Sequence, residues 1–421
     1  MANHQGARSF SFTADGQLAR RQFLATAAQL GLGLPALSGL GAMDAWAQSA
    51  TGSRGTPLTI GWIRPVTGLL APSFFPLFIG GLIAVDEINA AGGIMGRPIE
   101  RLELDDEGSP AKQPEIVSRL QDKNVSFVVG PNGSSQALAS FAGTMPAKII
   151  QAAGAIATTV GDGNLYPYNY QCGYNTELQG QLATQFLVKK LGMTKIGILV
   201  ESTAYGDQVL MGSRNELERL GIKPVSVQSY PVNATDFNGY ITNLRNAGTE
   251  GLLAWVGNIP NAALAFTAMA NQKWAPPTTG HYVLFLQQLL TLIPAEALTN
   301  VYGTMFKNLT WTDTEKIGDR QIRYAQKVAT YKEAKGLEVV VASAPWYDFL
   351  HLLKTVIEAE KTFDTARIKR ALDTVTGYQG MLGTYSFTSA RHTGIGLDDM
   401  VMASVVSATD PKAMGLFRKR A

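Results

Sequence analysis

The first residues in this chain with the means to do chemistry are two hydroxyls placed where a helix should begin. The apolar run 125–129 reads as a buried strand, the turn Gly130-Pro131-Asn132-Gly133 follows it, and Ser134-Ser135 open an amphipathic stretch. In open α/β sheets, ligands lie beyond the carboxyl ends of the strands, where helix N-termini present N–H groups to an anion. Ser134 therefore reads either as part of an anion site or as a simple helix N-cap, and one residue can serve both roles.

Patterns for other chemistry are missing. The sequence has no G-x-x-x-x-G-K-[ST] phosphate loop, no G-x-G-x-x-G opening a helix after a strand, no G-x-S-x-G elbow and no H-E-x-x-H. His4, His281, His351 and His392 are scattered, without carboxylates or cysteine at metal-ligand spacing, so neither a metal site nor a cofactor is expected. Cys172 is the only cysteine, which rules out an intrachain disulfide. The chain reads as a binder with no catalytic residue rather than an enzyme.

Composition agrees. Hydrophobic residues make up 46% and charged residues 16%, with 43 glycines, a profile that suits a packed α/β protein and excludes disorder or a coiled coil. The net charge of +3 comes from 36 basic and 33 acidic residues dispersed along the chain, so neither nucleic acid nor an anionic membrane surface is indicated as a partner. Residues 1–47 read as an export signal: Arg8, Arg20 and Arg21 precede an apolar run over 23–43, and Ala45-Trp46-Ala47 offers a cleavage site. The segment 19–24 resembles the twin-arginine motif, which implies export in the folded state. The alternative, a membrane anchor, is opposed by Gly31, Gly33, Pro35, Gly39 and Gly41, which interrupt the run. No later stretch reaches the roughly 20 apolar residues a span needs, so the mature chain is expected to be soluble; it is also expected to be a monomer.

These features must be held by elements, and 421 residues exceed one ordinary core, so two lobes are expected. After a polar linker over 48–56, apolar strands alternate with amphipathic helices, the pattern of a parallel α/β fold. Strands are predicted over 59–66, 99–104, 125–129 and 149–152, with a helix over 75–91 that stops at Gly92-Gly93. A second unit follows, with strands over 195–200, 225–230 and 252–256 and helices over 176–191, 206–220, 237–247 and 261–271. Further strands are read over 301–306, 383–387 and 400–405, and helices over 320–334, 344–360 and 365–373.

Pro65-Val66-Thr67-Gly68, the block 84–99 reading Ala-Val-Asp-Glu-Ile-Asn-Ala-Ala-Gly-Gly-Ile-Met-Gly-Arg-Pro-Ile, Asp105-Asp106 and Val129-Gly130-Pro131 occur in that order. Together they resemble the periplasmic branched-chain amino acid (Leu/Ile/Val) binding proteins, the type I substrate-binding proteins of ABC transporters, from about residue 57 to 410. The resemblance implies two doubly wound parallel-sheet lobes joined by three crossover strands, expected near 155, 304 and 379. The N-terminal lobe would hold 57–155 with 305–378, and the C-terminal lobe 156–304 with 379–421. It also implies a periplasmic protein, its signal removed near Ala47, that closes on a small-molecule ligand and docks on an ABC permease with its ATPases. A ligand sensor of the same fold, signalling to a receptor, is the alternative.

The resemblance carries site residues onto this chain. Ser134, with the amides near Ser135, would grip a carboxylate. Ala153 would offer a carbonyl, and Ala155 stands where a threonine is expected. Tyr205 matches a tyrosine that covers the ligand, or is a core residue, and Asn258 replaces an aromatic with a polar contact. Ser73 and Phe74, in an apolar loop over 69–75, and Phe285 would line the apolar end, unless they belong to the core. No Asp or Glu occurs over 280–287, where the resemblance places the acid that neutralises an ammonium. Burying an ammonium without a countercharge costs several kcal/mol, which disfavours a zwitterion, and a small hydrophobic or aromatic carboxylate or an amino acid-like solute is expected.

Overall fold

The computed structural model describes residues 55–293, 295–331, 344–405 and 417–421, so the expected export signal and almost all of the linker lie outside the described residues. The first lobe is built on β1 (Leu58–Arg64), β2 (Ile99–Asp105), β3 (Phe127–Val129) and β4 (Ile150–Ala152), all parallel, in the order β2-β1-β3-β4. The connections run through α1 (Ala71–Ala90), α2 (Gln113–Asp122) and α3 (Ser134–Thr144). β3 is buried along its whole length, whereas edge strand β2 mixes buried and exposed positions, as a parallel sheet covered on both faces requires.

The second lobe repeats the scheme with α4 (Thr176–Gln185), β5 (Ile196–Glu201), α5 (Ala204–Arg219), β6 (Ser226–Tyr230), α6 (Asn238–Asn246), β7 (Gly251–Trp255), α7 (Ile259–Asn271), β8 (Thr278–Gly280), α8 (Gln287–Leu292) and β9 (Val301–Phe306). With β13 (Met400–Ser404) these strands form a sheet in the order β13-β9-β8-β7-β5-β6, parallel except for β13 against β9. β10 (Thr310–Trp311) pairs with β14 (Arg418–Lys419) beside it. The remaining helices, α9 (Asp319–Thr330), α10 (Ala344–Glu360) and α11 (Thr365–Leu372), and the hairpin β11 (Tyr378–Gln379) and β12 (Thr384–Tyr385) complete the described chain.

All three crossings fall one loop later than expected. Gln151 bridges to Asn169 and Gln171 to Thr393, which extends the first sheet beyond β4 and holds the chain in the first lobe until about residue 172. The return crossing follows β10, since Trp311 O still accepts from Arg420 N, whereas Arg320 on α9 donates to Gln379 O. The third lies between 395 and 400, because the hairpin is fixed to α10 through the buried Asp348, which accepts from Met381 N at 2.6 Å, Leu382 N at 3.1 Å and Tyr385 Oη at 2.8 Å. Residues 156–172, 305–311 and 379–395 therefore change lobes relative to the sequence reading. These bridging strands pair through one or two residues and have no apolar run to announce them.

α1 begins four residues earlier than predicted, because Pro72 stands in the first turn, where its missing amide costs no hydrogen bond. By length and composition α1 could cross a membrane, contrary to the expectation that no later stretch reaches that length, but 65% of its apolar window is buried. It packs against α10, with the Phe78 and Trp346 rings 4.2 Å apart and Trp346 Nε1 donating to Ala152 O at 2.9 Å. α1 is thus a core helix. Gly130 ends β3 at φ +93°, with its Cα close under β1; a Cβ there would lie 1.9 Å from Ile63 O, so glycine is required for the turn that aims α3.

Asp348 offers a check on this assignment. Asp348→Asn turns one acceptor into a donor facing backbone amides, and should cost about 2 kcal/mol of unfolding free energy, read by urea denaturation. An unchanged midpoint would mean that the hairpin is not anchored there.

Candidate functional site

The carboxyl ends of the strands in the two sheets face each other, and a cavity of about 170 Å³ lies between them. Nearly every strand contributes to its lining: Leu70 and Phe74 after β1, Gly108 and Pro110 after β2, Asn132 to Gln136 after β3, and Gly154 and Ile156 after β4. From the second lobe come Glu201, Thr203 and Tyr205 at β5, Val232 after β6, Gly257 and Asn258 after β7, and His281 and Tyr282 after β8. An apolar cavity of about 150 Å³ holds one benzene ring, so this one suits a solute of about that bulk.

Ser134 is the first residue of α3, not its N-cap, which is Gly133. Its hydroxyl oxygen accepts from Ala157 N at 3.1 Å, leaving the hydroxyl proton to be donated elsewhere. Ser135 lines the same wall and reaches across the cleft, its Oγ accepting from Ala204 N at 3.2 Å. Ser73 is fully buried and bridges the lobes in the same way, accepting from Ile259 N at 2.9 Å; it does not line the cavity. Thr159 and Gln208 add a reciprocal pair, Thr159 N to Gln208 Oε1 at 2.9 Å and Gln208 Nε2 to Thr159 Oγ1 at 2.7 Å.

Tyr205 is both buried and part of the lining, its ring edge-on to His281 at 5.1 Å. Phe74 and Asn258 line the cavity as expected. Ala153 and Ala155 instead line a neighbouring cavity of about 40 Å³, which shares Gly154, Ile156 and Tyr282 with the first. Phe285 is the clear departure. A single 3₁₀ turn, Tyr282–Phe285, carries it over Gly303 of β9, where a Cβ would meet its ring at 2.3 Å, and the Arg418 guanidinium lies 6.0 Å from that ring. It is a core residue outside the cavity.

The lining carries an acid that the sequence reading did not name. Among the described residues no lysine or arginine lines the cavity, but a carboxylate does: Glu201, 7% exposed, at the end of β5. Its oxygens accept from Thr203 Oγ1 at 2.8 Å and Gly257 N at 2.9 Å, with no cation among those partners. Burial pushes its carboxyl above the usual carboxylate range, against the bonds from Thr203, Gly257 and Tyr230 that pull it down. His281, where the acid was expected, is pushed down to about 3 by burial and is neutral at physiological pH. Sequence reasoning looked for an acid after β8, whereas the carboxylate in the lining comes from the end of β5, four residues before Tyr205.

The sequence model of the periplasmic binding protein family matches residues 57–410. An amino acid binding protein of Pseudomonas aeruginosa is 31% identical over 202 residues, 46% of this chain and 52% of that protein. A Leu/Ile/Val-binding protein homolog of Brucella abortus is 28% identical over 228 residues, 52% of this chain and 59% of the relative. The chain thus spans about half the length of these curated relatives. Among solved structures, a periplasmic binding protein type 1 from Bordetella pertussis Tohama I superposes with a TM-score of 0.75 at 21% identity, over 84% of this chain and 98% of that one.

Proposed function

The chain belongs to the periplasmic binding protein family, and from that membership we propose that it is the exported solute-binding component of a branched-chain amino acid-type ABC importer, closing its lobes on a small, largely apolar amino acid-like solute. The observation that carries the ligand class is the buried Glu201 in a cavity without lysine or arginine. A buried carboxylate without a countercharge is costly, and an ammonium on the solute offsets that cost. The solute's carboxylate would take the opposite wall, where the first amides of α3 and the Ser134 hydroxyl favour an anion. Phe74, Ile156, Tyr205 and Tyr282 would enclose the apolar part. In this reading the protein performs no reaction, works as a monomer after twin-arginine export and cleavage near Ala47, and passes its solute to a permease and its ATPases.

A second reading, an aromatic or aliphatic carboxylate without an amine, is favoured by the neutral His281 at the position where an acid was expected. A thermal-shift screen of the mature protein separates the two, since a ligand at 100 times its Kd adds about 2.7 kcal/mol of stability. Amino acids should raise the midpoint and the matching carboxylates without an amine should not. The reverse result would replace this reading with the second.

A further inference from the structure

Two amide side chains lining the cavity carry hydrogen-bonding atoms that find no partner among the described residues. Asn132, 5% exposed, has neither Oδ1 nor Nδ2 partnered, and Asn258, fully buried, has Nδ2 unpartnered while its Oδ1 accepts from Asn261 N at 2.9 Å to cap α7. Other buried orphaned atoms, such as Trp62 Nε1 and Thr304 Oγ1, belong to residues outside the cavity lining. Asn132 comes from the first lobe and Asn258 from the second, so a solute between the lobes lies within reach of both.

Each buried amide atom left without a partner bears its desolvation penalty uncompensated. A solute with a wholly hydrocarbon side chain would seal the cavity and leave orphaned those of the three atoms that its carboxylate does not reach. The carboxylate, placed at the α3 terminus, can accept from Asn132 Nδ2 but cannot donate to Oδ1. The remaining acceptor and donor, Asn132 Oδ1 and Asn258 Nδ2, together match one neutral group that both donates and accepts.

We propose that Asn132 and Asn258 are specificity-determining residues that read a neutral donor–acceptor group, a hydroxyl or a carboxamide, on the solute, so that the site prefers polar-tipped solutes over plain hydrocarbon ones. This rests on the cavity being the ligand site of the proposed binding protein. A site built to pair a hydroxyl or an N–H rejects the analogue lacking it far more strongly than an apolar pocket rejects an added methylene, because its own polar groups are then left unpaired.

The test is calorimetric titration of the mature full chain with matched pairs: tyrosine against phenylalanine, threonine against valine, glutamine against methionine, and 4-hydroxybenzoate against benzoate. The polar member of the preferred pair should bind at least tenfold more tightly, and comparison of the hydroxyl pairs with the carboxamide pair tells which group is read. Asn132→Leu should erase or reverse that preference. Asn258→Asp, which keeps the capping oxygen and replaces the donor by a charged acceptor, should weaken the polar member about tenfold more than the apolar one. Tighter binding of the apolar members overturns the inference while the binding function stands. Failure of every amino acid and carboxylate to bind overturns the proposed ligand class and this inference with it. The wild-type comparison decides the matter even should a variant fold poorly.

Discussion

Replacing Glu201 by glutamine is expected to weaken amino acid binding about 100-fold, close to 2.7 kcal/mol, while raising the thermal midpoint of the unliganded protein. The two effects have one origin. Glu201 is buried among neutral donors, and burial raises its carboxyl above the ordinary range, so the folded state holds its proton over a pH window in which the unfolded chain releases it. Linkage then makes this group's contribution to stability fall as pH rises from about 4.5 toward the raised value. Below that window Glu and Gln are alike, so the stabilisation by Glu201→Gln should be absent at pH 4 and should grow toward neutrality. An ammonium reverses the balance in the liganded state, because it pairs with the ionised carboxylate and gains nothing from the amide. Calorimetry and thermal melts of both proteins across pH, with and without the best amino acid, measure each arm. A variant that binds as tightly as wild type would remove Glu201 from the ligand's charge recognition.

Glu201 also shows where reading the sequence succeeded and where it could not. The repeated strand-helix pattern was legible because β5 and β7 are buried continuously and read as unbroken apolar runs. Most helix positions followed from one-sided apolar spacing. β8 was missed because Thr278-Thr279-Gly280 after two prolines has no hydrophobic run, although both threonines are fully buried. Ser134, Ser135, Phe74, Tyr205 and Asn258 line the cavity; the strand end followed by a helix start made Ser134 legible in one dimension, whereas Tyr205 and Asn258 came from the family resemblance. Glu201 was not, since an acid at a strand end looks like any surface acid until Gly257 and Thr203 are seen to enclose it. Phe285 failed for the opposite reason: its neighbours His281 and Tyr282 do line the cavity, but the 3₁₀ turn directs it onto β9. Ser73 was expected to touch the ligand and instead touches the other lobe.

That last misplacement leads to the second large effect. Ser73 Oγ and Ser135 Oγ each accept a first-turn amide of a helix in the opposite lobe, Ile259 N of α7 and Ala204 N of α5, and the Thr159–Gln208 pair adds two further bonds. The first amides of a helix have no partner within it, so in an opened clamp they turn to water, and the net gain from each bond on closure is about 1 kcal/mol. Four such bonds favour the closed arrangement by about 4 kcal/mol, close to a thousandfold in the ratio of closed to open molecules. The triple variant Ser73→Ala, Ser135→Ala, Gln208→Ala removes all four without touching either lobe's hydrophobic core. It should enlarge the radius of gyration of the unliganded protein in small-angle scattering and weaken ligand binding by 100-fold or more, since apparent affinity scales with the fraction of molecules able to close. Because Ser73 and Gln208 lie outside the cavity lining, the loss in the double variant Ser73→Ala, Gln208→Ala should be the same for every solute that binds, whereas changes at Glu201 or Asn132 should depend on the solute. Unchanged scattering together with unchanged affinity would mean that closure is held by the ligand alone.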